Sequence, residues 1–258
     1  MSVDDLYGDA ALAELYDLAW GDSDFDVSMY EQFARRGELP SLELGVGTGR
    51  VALHLARNGL HVVGLDASPA MLSRLEARLD PETAPRLRLV AGDMRDFDLA
   101  PQKFDLVYCA ANSFQHLLTH DDQLAALRCV ARHLAPGGLF VAEMRTMRAV
   151  DWSVERTPLY LRRTVDIPGT DDTLMHFQQL SPHPAHQTTT TTYIFDRVSP
   201  DGAVHRRVID VTLRYSTLGE FALLLERAGL ALRDVYGDAD LSPYDDASDR
   251  MVIVASLP

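Results

Sequence analysis

LELGVGTGR, residues 42–50, carries an acid, Glu43, in an apolar run and follows it with glycines at 45, 47 and 49 before VALHLARNG takes up a helical pattern. Three alternate glycines let a backbone pass close to a ligand with no Cβ in the way, and in open α/β sheets ligands bind at the carboxyl ends of strands. The stretch predicts strand, ligand-binding turn and helix, in that order. A dinucleotide fingerprint is G-x-G-x-x-G, and the position of its third glycine is here Arg50, which disfavours a pyrophosphate reader.

The next segment, LHVVGLDASPAML, reads as a second strand over 60–65 that ends in Asp66, with Ser68 and Pro69 opening a helix. Asp66 lies 21 residues after Gly45, and an acid at that place can accept both hydroxyls of a ribose. A close glycine turn and a ribose acid, with no anion cradle, are what adenosylmethionine needs: it carries an adenosine but no phosphate.

The chain has 258 residues, enough for one large α/β domain with an insertion and a sizeable core. Its formal charge of -14 argues against non-specific binding to nucleic acid or anionic membrane, which needs basic patches, and points to a small-molecule partner. Cys109 and Cys129 lack metal or redox spacing, so neither a disulfide framework nor a zinc site is expected, and a reduced cytoplasm fits. The N-terminal acids Asp4, Asp5, Asp9, Glu14 and Asp17 oppose a signal peptide, and no run is apolar for about 18 residues, so neither export nor membrane spanning is expected. Lys103 is the only lysine against 23 arginines, a bias of GC-rich bacterial genomes and not a function.

Leu6, Ala10, Ala13, Tyr16 or Asp17, and Trp20 recur at helical spacing, and 27–36 reads as a second short helix. Strand and helix then alternate through 41–44, 51–58, 61–65, 69–79, 86–90, 104–109, 121–134 and 138–143, with Pro136-Gly137-Gly138 ending a helix ahead of a strand. Such alternation predicts a parallel sheet with right-handed crossovers. After about Val150 the pattern changes to β-branched or alternating runs at 157–165, 174–180, 188–198 and 204–213, separated by turn signals at 168–169, 182–184 and 200–202. These predict an antiparallel meander of about four strands; a helix over 217–228 and strands at 231–236 and 251–256 return to the main sheet.

With ELGVGTG at 43–49, GLDAS at 64–68, AGDMRDF at 91–97, FDLVYCAANSFQHL at 104–117 and LAPGGLFV at 134–141, the chain resembles the class I adenosylmethionine-dependent methyltransferases. It looks most like their bacterial small-molecule, natural-product N- and O-methylating members. The resemblance implies a Rossmann-like seven-stranded sheet in the order 3-2-1-4-5-7-6, with N-terminal helices and an inserted antiparallel β lid. It divides the chain into 1–150, N-terminal helices and the first part of the core; 151–215, the lid; and 216–258, the end of the core. It further implies that Gly45, Val46, Gly47 and Gly49 line the methionine part and that Glu43 supports the loop or the cofactor's amino group. By the same resemblance Asp66 holds the ribose, Ala67 and Met71 flank the adenine, and Asp93, with Met94 nearby, accepts from the adenine amino group. Ala110, Ala111 and Asn112 sit beside the sulfonium methyl, and Tyr7, Tyr16 or Trp20 reaches the methionine carboxylate.

A sulfonium methyl is already activated, so transfer to nitrogen or oxygen needs alignment first and a base second. His116, just past the AANSFQ loop, is the candidate catalytic residue, with a structural histidine at a helix start as the alternative. Asp93 is preferred over Asp96 because it follows the strand and glycine directly; either acid can also serve a turn or cap. His176, His183 and His186 raise a metal site, but no cysteine or paired acid completes a tetrahedral set, so none is expected. Tyr160, Arg162, His176, Tyr193, Arg214 and Tyr215 are candidates to face the substrate chamber, with Arg162 or Arg214 as a carboxylate anchor. The acidic loop 238–250 is a solvated connection or an attractor of cations. The competing function is a non-methylating protein that uses the bound cofactor structurally; homo-oligomerisation stays open.

Overall fold

The computed structural model describes residues 10–147 and 152–258. Two helices, α1 (Ala10–Trp20) and α2 (Val27–Ala34), lead into a seven-stranded sheet built from β1 (Ser41–Leu44), β2 (Val62–Asp66), β3 (Leu87–Ala91), β4 (Phe104–Cys109), β5 (Leu134–Arg145), β10 (Ala231–Tyr236) and β11 (Arg250–Ser256). The helices α3 (Arg50–Arg57), α4 (Pro69–Glu76), α5 (His120–His133) and α6 (Leu218–Arg227) cover its two faces. The spatial order is β10-β11-β5-β4-β1-β2-β3. All strands run parallel except β11, which is antiparallel to both β5 and β10. In chain order this is the expected 3-2-1-4-5-7-6.

Local chemistry sets the element boundaries. Ser68 accepts a hydrogen bond from the Met71 N–H at 3.1 Å and Pro69 occupies the first turn of α4, so that helix starts where its first N–H groups are satisfied. Thr217 and Glu220 form a reciprocal capping box at the start of α6. β1 is buried along its whole length, as a central parallel strand covered on both faces must be.

The insertion forms a separate antiparallel sheet in the order β6 (Tyr160–Asp166), β7 (Thr173–His183), β8 (Thr188–Val198) and β9 (Val204–Arg214). His176 pairs with Phe195, Gln178 with Tyr193, and Tyr193 with Ile209, so these side chains share the face turned toward α1 and the main sheet. The threonine run is strand: Thr189 and Thr191 are buried on that same face, while their neighbours are less so.

Two turn positions differ from expectation. Pro136-Gly137-Gly138 lies inside β5, because Phe104 pairs with Leu134 and Leu106 with Leu139; the strand bulges where Gly137 takes φ +81°. Pro182 belongs to β7 and pairs with Thr189, and the reversal is made by Pro184–His186. β6 pairs with β7 only up to Gln178, so the missing N–H falls where β7 has one neighbour. Among the described residues no helix is long and apolar enough to cross a membrane.

Candidate active site

Because β1, β2, β4 and β5 are parallel, their carboxyl ends open on one edge of the sheet, and the glycine loop lies there. Gly45 and Val46 donate to the Leu65 carbonyl at 2.8 and 3.0 Å, which holds the loop against the end of β2. An added Cβ at Gly47 would meet nothing within 4 Å, whereas at Gly49 it would stand 2.2 Å from Leu75 Cδ1. The first glycine therefore borders open space and the second lets α3 and α4 close together. A Cβ at Gly45 would press on Ser113, with Met94 Cε 3.5 Å away, so Met94 lies against the loop.

Asp66 joins this loop to the next. Its Oδ2 accepts from the Gly47 N–H at 2.7 Å and its Oδ1 from the Ser68 N–H at 2.8 Å, while burial raises its pKa. Ala67 is exposed beside it, and Met71 is buried at 3% exposure. Asp93 lies after β3 in a pair with Arg95, which also reaches Asp122 at 3.0 Å; the Arg95 hydrogen bonds lower the Asp93 pKa and keep the carboxylate ionised. Asp96 is exposed, and its N–H donates to the Asp93 carbonyl.

Glu43 sits beneath the loop, fully enclosed, and takes a hydrogen bond from the Tyr108 hydroxyl at 2.9 Å; burial pushes its pKa up to about 8. Arg50 closes the other side. Its guanidinium forks onto the buried Asp26 carboxylate and donates to the Ser23 carbonyl at 3.0 Å, which ties the α1–α2 connection to the start of α3. Arg250 pairs with buried Glu143 on β5 and lies over the Phe25 ring at 4.2 Å. Burial raises the Glu143 pKa to about 7, and its Oε2 has no hydrogen-bond partner among the described residues.

After β4 the chain passes through Ala110, which is buried, and then Ala111 and Asn112 at φ 49° and 66°. Two consecutive non-glycine residues in the left-handed region are strained, and such strain gathers at functional sites. Asn112 Oδ1 is buried without a partner among the described residues. The 3-10 turn Ser113–His116 follows, and desolvation pulls the His116 pKa down to about 4. Ala111, Asn112 and His116 line a cavity of about 600 Å³ enclosed by α1, the end of β4 and the inner face of the antiparallel sheet. Tyr16 and Trp20, with ring centroids 5.2 Å apart, form its α1 wall, and Tyr193, Phe195 and Val211 its opposite wall. Tyr7 lies outside the described residues.

The other candidates separate. Arg162 lines the cavity. Arg214 does not: its guanidinium is held by Glu220 at 2.9 Å, Gln187 at 3.1 Å and His120 at 2.7 Å, so it clasps the lid to α5 and α6. Tyr215 is buried against Trp152, and Tyr160 is 48% exposed. His176 stacks on Phe195 at 4.7 Å behind the cavity wall, whereas His183 contacts the Thr190 hydroxyl; the lid histidines form no metal-holding group among the described residues. Of the acidic loop, Asp238 and Asp249 line the cavity.

Sequence reasoning missed the Arg50–Asp26 and Arg250–Glu143 pairs and the role of Gln115. The Gln115 side chain accepts from the Arg145 N–H at 2.9 Å and donates to the Arg145 and Arg214 carbonyls, each at 3.0 Å. An acid inside the apolar run GLFVAEM was the available signal for Glu143.

The space beside Gly47, the acid at the end of β2 and the orphaned Asn112 carbonyl fit a nucleoside cofactor with a polar amino-acid tail. The methyltransferase-domain family matches residues 42–138. The chain is 30% identical to the cypemycin N-terminal methyltransferase of a Streptomyces species over 83% of this chain and 81% of that protein. Its fold resembles the CcbJ methyltransferase of Streptomyces caelestis, with a TM-score of 0.74, 29% identity, and 90% and 95% of the two chains covered. It also resembles the adenosylmethionine-bound amino pentose methyltransferase CalS10 of Micromonospora echinaspora, with a TM-score of 0.73, 26% identity, and 95% and 97% covered. Motifs, sheet order and relatives converge: the chain belongs to the S-adenosylmethionine-dependent methyltransferases.

Proposed function

We propose that this enzyme methylates a nitrogen of a small metabolite, in specialised natural-product metabolism. The carrying observation is the state of His116, the one histidine that lines the cavity among the described residues. With its pKa near 4 it is neutral throughout the physiological range, and its conjugate acid is too strong for the imidazole to deprotonate an alcohol effectively during attack. A neutral amine brings its own lone pair and needs alignment only. Relatives named as an N-terminal methyltransferase and as an amino-sugar N,N-dimethyltransferase support nitrogen as acceptor.

Adenosylmethionine supplies the electrophilic methyl group. In this reading Gly45, Val46, Gly47 and Gly49 give its amino-acid part a close backbone, Asp66 holds the ribose and the Ala67–Met71 turn borders the adenine, with Asp93 and Met94 on its far side. Tyr16 reaches the carboxylate, and Ala110, Ala111 and Asn112 flank the reacting end. His116 accepts a hydrogen bond from the amine and so directs its lone pair, while α1 and the lid keep water out. Functionally the chain divides into 1–150, 151–215 and 216–258, with the middle part setting the acceptor. A cytoplasmic site suits the two free thiols, Cys109 and Cys129, and the charge of -14 suits an acceptor other than nucleic acid.

The test is methyl transfer from isotope-labelled adenosylmethionine to matched amines and alcohols. Label on amines is expected, and His116→Ala is expected to slow transfer tenfold or more without changing cofactor affinity. Label confined to hydroxyl oxygens, or none on any acceptor, would overturn the proposal.

A further inference from the structure

Four arginines line the cavity, and two are already spent on buried acids, Arg50 on Asp26 and Arg250 on Glu143. The other two, Arg145 and Arg162, have no ion pair and no side-chain hydrogen bond among the described residues. They come from opposite walls, Arg145 from the end of β5 in the core and Arg162 from β6 in the lid. Arg145 is not loosely placed: Gln115, buried at 1% exposure, grips both its N–H and its carbonyl, one residue away from His116. Its charge is felt at the Tyr193 hydroxyl and that of Arg162 at the His176 ring, so both cations act on the inner face of the lid.

Both side chains are solvent-accessible where they line the cavity, and the planar fork of a guanidinium matches a carboxylate or a phosphate group. We propose that Arg145 and Arg162 bind an anionic group of the acceptor, so that the substrate is an amine bearing a carboxylate or a phosphoryl group rather than a plain amine. The anion bridges core and lid, and its distance from the nitrogen fixes which nitrogen meets Asn112 and His116. This assignment rests on the amine-methylation reading above and adds the class of amine. Arg214, the other candidate anchor, is excluded by its own partners.

Two measurements test it. In the first, labelled transfer is compared within pairs that differ in the anionic group, with KM referred to the unprotonated amine: glucosamine 6-phosphate against glucosamine, and alanine against alaninamide. A KM at least tenfold lower for the anionic member of one pair is expected, with that advantage lost in Arg145→Gln and in Arg162→Gln while kcat changes less. Advantage in the first pair identifies a phosphoryl group and in the second a carboxylate. Transfer to the neutral members as readily as to the anionic ones would overturn the anion site and leave amine methylation standing. In the second, phosphorus resonance broadening of inorganic pyrophosphate and proton resonance broadening of acetate are recorded with protein loaded with demethylated cofactor. Broadening of one probe by the wild type that disappears in the Arg145→Gln/Arg162→Gln double variant supports the site even where no panel amine is methylated; equal behaviour of the two proteins toward both probes overturns it.

Discussion

Glu43 is a residue whose chemistry departs far from its sequence. An exposed glutamate titrates near 4.3, yet enclosure beneath the glycine loop pushes this one up to about 8. Between those values the native state keeps a proton that the unfolded chain has released, so this group's contribution to stability falls as pH rises from about 4.5 to 8. Glu43→Gln retains an acceptor for the Tyr108 hydroxyl and removes the titration. Relative to wild type the variant should gain stability across that window, by up to about 4 kcal/mol at about 1.4 kcal/mol per pH unit. Thermal unfolding midpoints recorded from pH 5 to pH 8 check this: the difference should widen steadily, and a constant difference would refute it. His116 and His176 have the opposite pH dependence. Both have pKa values pulled down to about 4, so their contributions fall as pH drops from about 6.5 toward 4. Stability is thus limited on the acid side by the histidines and on the alkaline side by the buried acid.

At the scale of elements, the α1–α2 connection is tied to the start of α3 by a buried ion pair, while Asp17 of α1 pairs with Arg74 and Arg78, the latter donating to the Thr48 carbonyl of the loop. Asp26 is fully enclosed and Arg50 nearly so, and removing one partner strands the other's charge. Arg50→Ala should therefore cost about 3–5 kcal/mol and loosen α1 from the loop. Denaturant unfolding should show the loss, and calorimetry should show adenosylmethionine bound at least tenfold more weakly. Unaltered binding would mean that the Asp17 pairs with Arg74 and Arg78 and the lid contacts suffice to place α1. The same pair shows why the fold was more legible than the site. Strand ends and the loop were readable because each needs a residue type at a fixed spacing: glycine beside an approaching ligand, Asp66 at a strand end, Ser68 and Pro69 at a helix start. Arg50 was readable only as a missing glycine. Its partner lies 24 residues away and that of Arg250 lies 107 away, and at such separations spacing carries no signal. The same holds for Arg162 and Arg214, alike in sequence, of which the fold leaves one in the cavity and locks the other to Glu220.

Across the whole molecule, the antiparallel sheet is joined to the rest of the chain by Gln115, by the Arg214 clasp and by Arg163 on Asp22. Gln115→Ala leaves the Arg145 N–H without its acceptor and the Arg145 and Arg214 carbonyls each short of a donor, at a cost of about 2–4 kcal/mol. Cofactor affinity should persist, since the glycine loop and Asp66 are untouched, while acceptor KM rises and amide hydrogen exchange quickens across 152–214. Exchange unchanged there would show that the Arg214 clasp suffices.

The neck at Gln115 has a further consequence. A single amide nitrogen reaches the carbonyls of Arg145 and Arg214, so the end of β5 and the end of β9 are held together at one point. A segment joined in that way is a cartridge. Grafting the equivalent stretch of a relative between Arg145 and Arg214, with the glutamine kept, is expected to exchange the proposed acceptor wall while the pairing of β5 with β4 and β11 stays in register.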